Sequence, residues 1–368
     1  MSKTTKPSDK TFMRAALTLA RRGLGEVWPN PAVGCVIVKD DNVVGRGWTQ
    51  FGGRPHAETE ALRRAGNAAT GACVYVTLEP CNHLGKTPPC AQALLDSGVD
   101  RVVTAMEDPD PRTAGGGHMR LQSGGIEVVT GVLADEAAAL NAGFLLRVTT
   151  GRPMATLKIA TTLDGKIAAQ GGESRWITGV EARTRGHLLR ATHDAIMVGV
   201  GTAIADAPAL TCRIPGIENR SPLRVVVDSQ LRLPLDSSLV ATAGETPTWI
   251  LTAAEGDASQ LEGQGVEIVR VKAGADGRVD LVAGLDALGA RGITRLLIEG
   301  GGALAASCVR AALIEEIYWF RSGGLMGADG IDAIAALGIG EPNEMALFER
   351  VDLLPVGDDV METLVRRA

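Results

Sequence analysis

Three short segments of the chain bring together the residue types that bind zinc. His56 and Glu58 are two positions apart, Cys81 follows Pro80, and Cys90 lies further along the same region. Zinc prefers nitrogen and thiolate ligands in a tetrahedron, and a catalytic zinc keeps one position for water. One histidine and two cysteines fill three positions. The sequence therefore predicts a catalytic zinc site formed by His56, Cys81 and Cys90.

Glu58 is the predicted catalytic residue of this site. A zinc ion lowers the pKa of a bound water and makes a nucleophile available near neutral pH. A carboxylate beside that water can accept its proton and return protons to a ring nitrogen and to leaving ammonia. The order H-x-E followed by P-C and a second cysteine is typical of zinc-dependent deaminases. The alternative, two core cysteines and a surface histidine, does not explain why all the pieces occur together.

The spacing between the cysteines is longer than in the usual form of this motif. Eight residues separate Cys81 from Cys90, so the short turn between the ligands is expanded into a loop. Cys90 follows Pro88 and Pro89, which favour the start of a helix. A thiolate at a helix N-terminus gains from the helix dipole.

Length and composition limit the class of protein. The chain has 368 residues, with 45% hydrophobic and 22% charged residues, which favours a globular protein of two domains. The net charge of -6 disfavours a nucleic-acid-binding protein, which needs clustered basic residues. We expect no membrane span and no secretory signal, because no segment is long and apolar enough. The expected compartment is the cytoplasm. The six cysteines are expected to bind metal, take part in catalysis or pack in cores rather than form disulfides.

The pattern of elements predicts two α/β domains. The first half reads as helix, hairpin, helix, strand, helix and strand, which is typical of a layered α/β fold. A second series of strands and helices begins at about residue 155, and its strands are expected to be mostly parallel. The predicted domains are residues 1–150, the deaminase, and 151–368.

The second half contains a weaker signal for phosphate binding. Gly300, Gly301 and Gly302 follow a predicted strand that ends at Glu299 and precede a predicted helix. Glycines there allow backbone N–H groups to approach a phosphate. A tight strand-to-helix turn is an equally good interpretation, and the pattern is not the dinucleotide-binding G-x-G-x-x-G sequence.

Longer segments resemble one enzyme family. Pro29–Cys35 (PNPAVGC), His56–Glu58 (HAE) and Leu78–Cys90 (LEPCNHLGKTPPC) closely resemble the bifunctional pyrimidine deaminase/reductase of riboflavin biosynthesis. The expanded cysteine loop is a feature of that family. The resemblance covers essentially the whole chain and implies a cytidine-deaminase-like fold for the first domain.

The resemblance continues through the second half. Leu157–Ile167, Ser174–Thr178 and Gly201–Arg213 resemble the family's NADPH-dependent reductase domain, whose fold is similar to dihydrofolate reductase. It implies NADPH contacts for Ala160, Trp176, Thr202, Asp206, Ser229, Gly301, Gly302, Ala303, Leu304, Ala305, Ala306 and Ser307. It implies substrate contacts for Ser174, Arg190, Leu210, Arg213 and Glu299.

Some residues keep two interpretations. Asn30, His83 and Lys86 are candidates for substrate contact, and a turn residue or solvated loop residues are the alternatives. Lys158 and Asp164 are candidates for polarising or orienting the sugar, and structural ion pairs are the alternative. Family members often have an acidic or amide residue at position 207, where this chain has alanine.

The implied activity is bifunctional. Zinc-dependent deamination of 2,5-diamino-6-ribosylamino-4(3H)-pyrimidinone 5′-phosphate would be followed by NADPH-dependent reduction of the ribosyl group of 5-amino-6-(5-phosphoribosylamino)uracil to ribityl. The implied partners are the small-molecule substrates and further copies of the chain, with no nucleic acid or membrane. The alternative hypothesis is a nucleic-acid or nucleoside deaminase with a non-catalytic nucleotide-binding second half.

Overall fold

A computed structural model describes residues 6–83, 88–110, 114–174 and 176–367 of the chain. Lys86, a candidate for substrate contact, lies outside the described residues. The chain divides into two units, unit 1 (Met1–Gly151) and unit 2 (Arg152–Ala368).

Unit 1 is built on a five-stranded sheet. Its strands are β1 (Gly34–Lys39), β2 (Asn42–Trp48), β3 (Cys73–Val76), β4 (Arg101–Thr104) and β5 (Glu127–Val129). Its α-helices are α1 (Pro7–Ala20), α2 (Ala57–Ala65), α3 (Cys90–Asp96), α4 (Gly116–Ser123), α5 (Ala134–Leu140) and α6 (Ala142–Thr150). The strand order is β2-β1-β3-β4-β5, in which β1 is antiparallel to β2 and β3, while β3, β4 and β5 are parallel.

Helices cover both faces of this sheet because its buried strands are apolar on both sides. Ile37 and Val76 belong to a core shared with α2 and α3, whereas Val36, Val38 and Tyr75 belong to a core shared with α1. Successive side chains of a strand point to opposite faces, so the neighbours Val36 and Ile37 pack on different sides. The result is a three-layer α/β/α unit.

A glycine lets α2 lie directly on β2. A Cβ atom at Gly47 would lie 2.1 Å from the carbonyl oxygen of Ala57, the first residue of α2. No real side chain tolerates that separation, so glycine is required where the helix crosses the strand. This close approach positions the start of α2, where His56 and Glu58 lie.

Unit 2 is built on a nine-stranded sheet. Its long-sheet strands are β6 (Met154–Thr161), β8 (Ala195–Gly199), β9 (Leu223–Val227), β10 (Thr248–Thr252), β11 (Glu267–Arg270), β12 (Arg295–Ile298), β13 (Ile314–Arg321), β15 (Phe348–Val356) and β16 (Asp359–Arg366). A separate ladder pairs β7 (Lys166–Ala168) with β14 (Ile331–Asp332). The helices are α7 (Val180–Ala191), α8 (Val200–Asp206), α9 (Ser238–Ala241), α10 (Ser259–Gly263), α11 (Leu281–Ala290) and α12 (Gly302–Arg310).

The sheet of unit 2 is parallel over most of its width. The order is β11-β10-β9-β8-β12-β6-β13-β16-β15, and the neighbours from β11 to β13 are parallel. Only β16 runs in the opposite direction, because it is antiparallel to both of its neighbours, β13 and β15. The fold is α/β, as the sequence predicts, and the strand-glycine-helix order predicted around Gly300 is present as β12 followed by α12.

None of the described helices combines the length and the hydropathy that a bilayer crossing requires.

Candidate active sites

The three predicted zinc ligands meet where two helices of unit 1 begin. His56 immediately precedes α2, Cys81 follows β3 in the chain, and Cys90 is the first residue of α3. The His56 Nδ1 atom lies 3.6 Å from Cys81 Sγ and 3.4 Å from Cys90 Sγ. All three ligand atoms lie within 4.8 Å of one another.

These separations suit a tetrahedral zinc ion. Zinc bonds of about 2.3 Å to sulfur and about 2.0 Å to nitrogen, at a tetrahedral angle, place the two ligand atoms about 3.5 Å apart. The backbone N–H of Cys90 donates a hydrogen bond of 3.4 Å to Cys81 Sγ. The contact with Cys90 lowers the pKa of Cys81 to about 4, which favours the thiolate that zinc requires. The donor set therefore fits zinc.

Glu58 lies in the same cavity and does not belong to the ligand cluster. Its side chain is buried, with a residue exposure of 4%. Burial raises the pKa of Glu58 to about 7, which lets this carboxyl group exchange protons near neutral pH. Together with the ligands His56 and Cys81, Glu58 lines a cavity of ≈ 180 Å³.

The cavity also contains Asn30 and His83, two residues whose role the sequence leaves open. Asp108 and Asp110 lie on the same lining, and burial raises the pKa of Asp108 to about 6. Neither aspartate is predicted from the sequence, because both follow β4 in a loop with no motif. The lining thus offers hydrogen-bond acceptors for the amino groups of a pyrimidine.

Glu79 fixes this loop to the metal-ligand segment. Its carboxylate accepts hydrogen bonds from the backbone N–H groups of Asp108 (3.2 Å), Gly115 (2.9 Å), Gly117 (2.8 Å) and His118 (3.0 Å). These four backbone donors hold the loop against the segment that precedes Cys81. Glu79 directly precedes Pro80-Cys81 and follows β3 closely in the chain. A charged residue between a buried strand and the metal-ligand motif is the sequence signal that could have identified it.

Unit 2 contains a second charged site, at the end of β12. The Arg190 guanidinium donates two parallel hydrogen bonds to the carboxylate of Glu299, at 2.8 and 2.9 Å. Lys158 Nζ lies 4.0 Å from the same carboxylate. Burial alone would raise the pKa of Glu299, yet Arg190 and Lys158 outweigh it and hold that pKa at about 2. Burial lowers the pKa of Lys158, which makes this ammonium a readier proton donor.

Most predicted cofactor residues line two cavities of unit 2. The first, of ≈ 390 Å³, contains Lys158, the predicted substrate residues Ser174 and Glu299, and the predicted cofactor residues Ala160, Thr202, Asp206, Gly301 and Ala305. The second, of ≈ 820 Å³, contains Ser229, Ala303, Leu304 and Ser307. Gly201 lines both cavities, so the two are neighbours.

Other predicted residues of unit 2 do not line these two cavities. Trp176 is 67% exposed, with the Arg183 guanidinium 4.4 Å from its ring centroid. Ala306 is fully buried, and Gly302 starts α12 close to Asp332. The roles of all three remain predictions.

The segment after α8 places the remaining substrate candidates. Leu210 is buried in the core, and Arg213 Nη2 lies 3.3 Å from His187 Nε2. Arg190 Nη1 donates to the carbonyl oxygen of Thr211, which connects this segment to Glu299. Their roles also remain predictions.

Asp164 has a structural role in the turn after β6. Its carboxylate accepts hydrogen bonds from Thr162 Oγ1 (2.6 Å) and from the backbone N–H of Gly327 (2.6 Å). These contacts fix a turn rather than a sugar, so of the two open interpretations the structural one has direct support. The partners of Asp164 are a hydroxyl group and a backbone N–H, not the cation of the ion pair that the sequence suggests.

Both halves of the chain match known families. Residues 6–106 match the cytidine and deoxycytidylate deaminase zinc-binding region, and residues 153–354 match the RibD C-terminal domain. The riboflavin biosynthesis protein RibD of Bacillus amyloliquefaciens is 39% identical over 361 residues, covering 97% of this chain and 96% of that relative. RibD of Escherichia coli is 40% identical over 368 residues, covering 97% of this chain and 99% of the relative.

Solved structures agree over the same length. Acinetobacter baumannii RibD superimposes with a TM-score of 0.89 at 36% identity, covering 98% of this chain and 99% of that one. A Thermotoga maritima diaminohydroxyphosphoribosylaminopyrimidine deaminase/5-amino-6-(5-phosphoribosylamino)uracil reductase gives a TM-score of 0.87 at 32% identity, with 98% and 99% coverage. This chain therefore belongs to the RibD family of riboflavin biosynthesis, whose members join a zinc-dependent deaminase to an NADPH-dependent reductase.

Proposed function

We propose that unit 1 removes the 2-amino group of 2,5-diamino-6-ribosylamino-4(3H)-pyrimidinone 5′-phosphate, and that unit 2 reduces the ribosyl group of the deaminated product. The carrying observation is the convergence of His56, Cys81, Cys90 and Glu58 on one cavity. The name of the Thermotoga relative gives both reactions. The substrate assignment follows that relative.

In unit 1, His56, Cys81 and Cys90 would hold the metal and Glu58 would move the protons. Zinc supplies an activated water when it is bound. Glu58 accepts a proton from the attacking water and delivers protons to the ring nitrogen and to the leaving amine. The reaction consumes one water and releases one ammonia. The pKa of Glu58, about 7, lets its carboxyl group both accept and donate a proton near neutral pH.

In unit 2, the buried charges would hold the sugar. NADPH supplies the hydride when it is bound. As the anomeric carbon is reduced, its bond to the ring oxygen breaks and that oxygen needs a proton. Lys158 is a proton donor in this cavity, and Glu299 would hold Lys158 and a sugar hydroxyl in place. Arg190 in turn fixes the Glu299 carboxylate.

The predicted binding residues divide between the two ligands of unit 2. We assign Ser174, Arg190, Leu210, Arg213 and Glu299 to the substrate. We assign Ala160, Trp176, Thr202, Asp206, Ser229 and Gly301 to Ser307 to NADPH. The lining of two neighbouring cavities by most of these residues supports this division.

Neither part of the alternative hypothesis is favoured. A nucleic-acid deaminase would need clustered basic residues, whereas the described lining of the unit 1 cavity includes Glu58, Glu79, Asp108 and Asp110. A non-catalytic second half does not account for a buried lysine and glutamate in one cavity.

We further propose that the chain forms a homo-oligomer in the cytoplasm. β15 is an edge strand of the nine-stranded sheet, and it exposes Val351 and Leu353. An exposed apolar edge strand is a template for pairing with another chain. The six cysteines of the chain are free thiols, which suits a reducing compartment such as the cytoplasm. Light scattering that finds only a monomer at micromolar concentration would contradict the oligomer.

The zinc assignment is tested by substituting its ligands. We expect about one zinc per purified chain, and both Cys81→Ser and Cys90→Ser should lose most of it together with ammonia release, because a hydroxyl is a poor zinc ligand. Cys73→Ser is the matched control. Cys73 lies in β3, outside the ligand cluster, so this variant protein should keep its zinc. Undiminished zinc in both ligand variants would exclude the assignment.

A further inference from the structure

Two arginines line the deaminase cavity and are not explained by the metal or by proton transfer. Arg54 lies in the segment before α2, and Arg147 lies on α6. They are separated by more than ninety positions in sequence, yet both belong to the lining that contains Glu58. Among the described residues of this lining, they are the only arginines.

The two arginine side chains are less buried than the carboxyl group of Glu58. Glu58 is buried, whereas Arg54 and Arg147 are half-buried. Arg147 Nη2 donates to the backbone carbonyl of Pro29, 3.3 Å away, which positions the guanidinium beside the segment that carries Asn30. The lining therefore combines the metal-ligand residues and Glu58 with two guanidinium groups.

Two guanidinium groups in the lining that contains Glu58 suit a substrate that carries a phosphate. The rest of the lining carries the carboxyl groups of Glu58, Glu79, Asp108 and Asp110, which repel a phosphate dianion. The reacting ring must approach Glu58, so the strongly hydrated phosphate stays towards solvent. A guanidinium offers a planar fork of N–H donors that matches phosphate oxygens.

We propose that Arg54 and Arg147 bind the 5′-phosphate of the substrate during deamination, and so make this reaction selective for the phosphorylated substrate over the free riboside. This inference rests on the proposed function, and it adds a specificity site that the zinc motif does not contain. The ring would then lie between these two arginines and Glu58.

The test combines two substrates with two variants of the full chain. Ammonia release is measured for wild type, Arg54→Gln and Arg147→Gln, each with the 5′-phosphorylated substrate and with its dephosphorylated riboside. Loss of a charge-assisted hydrogen bond should lower kcat/KM for the phosphorylated substrate about 10- to 100-fold. The riboside, which lacks the phosphate, should react with wild type and variants within about twofold.

Two controls separate this effect from damage to the site. Zinc content should be the same in wild type and both variants, because neither arginine is a ligand. Arg14→Gln, on the exposed surface of α1, should behave as wild type with both substrates. Equal losses on the two substrates, or no loss on either, would overturn the proposal.

A binding measurement keeps the inference separate from the proposed function. Wild type that releases no ammonia from either substrate would contradict the proposed deaminase. In that case calorimetry with ribose 5-phosphate as the probe still decides the arginine assignment. The Arg54→Gln/Arg147→Gln double variant should bind one ribose 5-phosphate fewer per chain than wild type and Arg14→Gln. An unchanged number of binding sites would overturn the arginine assignment.

Discussion

Glu58 and Glu299 are both buried carboxylates, but their surroundings shift their pKa values in opposite directions. Burial raises the pKa of Glu58 to about 7. At Glu299, the charges of Arg190 and Lys158 outweigh burial and hold the pKa at about 2. One group can therefore exchange protons at neutral pH, whereas the other is a permanent anion that holds cations. In the proposed function, the two reactions would use the same residue type for different tasks.

The permanent charge of Glu299 predicts a pH-dependent stability. Its pKa lies below the ordinary value of about 4.3, so its contribution is complete above that value and is lost as pH falls towards 2. Glu299→Gln should destabilise unit 2 by about 3 kcal/mol at pH 7. The difference from wild type should shrink below about pH 4. Urea unfolding between pH 7 and pH 3 measures it.

An exposed glutamate provides the control for this measurement. Glu349→Gln on β15 should change the free energy of unfolding by less than about 0.5 kcal/mol at every pH. If the effect of Glu299→Gln were the same at pH 7 and pH 3, the ion pair with Arg190 would not be its origin.

The site residues that could be predicted from sequence lie in short motifs. His56, Cys81 and Cys90 belong to ordered pieces with a metal-ligand chemistry of their own. Arg54 and Arg147 could not be predicted, because only the packing of α6 beside the cavity brings them together. An isolated arginine in a sequence carries no signal that distinguishes a phosphate ligand from a solvated surface residue.

At the scale of elements, the end of α8 places position 207 in a conformation that alanine rarely adopts. Ala207 caps this helix with φ 41° and ψ 52°, in the left-handed region. Asparagine and aspartate tolerate that conformation better than alanine does. The acidic or amide residue typical of the family at this position therefore suits the backbone, and nothing in the structure explains the alanine of this chain.

This conformation predicts a stabilising substitution. Ala207→Gly should raise the free energy of unfolding by about 1 kcal/mol, because glycine adopts positive φ without a steric penalty. Ala205→Gly is the matched control, two positions earlier inside the same helix, and it should lower stability by about 1 kcal/mol. Urea unfolding of the three proteins measures both changes. A lower stability for Ala207→Gly would contradict the assigned backbone conformation.

Strands with a strong local pattern of apolar residues can be predicted from the sequence, whereas strands without one cannot. The apolar runs near residues 195–199 and 248–252 are the strands β8 and β10. The C-terminal strands were not predicted, and β15 shows why. Its residues Glu349 to Leu353 are all exposed, so the sequence lacks the apolar alternation by which a half-buried strand is recognised. Only pairing with β16 identifies it.

At the scale of the whole molecule, each unit has its own sheet and its own candidate site. The residues around the zinc ligands belong to unit 1, and Lys158, Arg190 and Glu299 belong to unit 2. Each sheet is covered by its own hydrophobic core. We therefore expect that a substitution can remove either reaction without removing the other.

The most direct test uses one substitution in each unit and a substrate for each reaction. Glu58→Gln should keep its zinc, release ammonia at least about 100-fold more slowly from the diamino substrate, and oxidise NADPH normally with the deaminated substrate. Glu299→Gln should release ammonia at the wild-type rate while its kcat/KM for NADPH-dependent reduction falls by a similar factor. Either substitution removing both activities from a folded, zinc-containing chain would contradict the account.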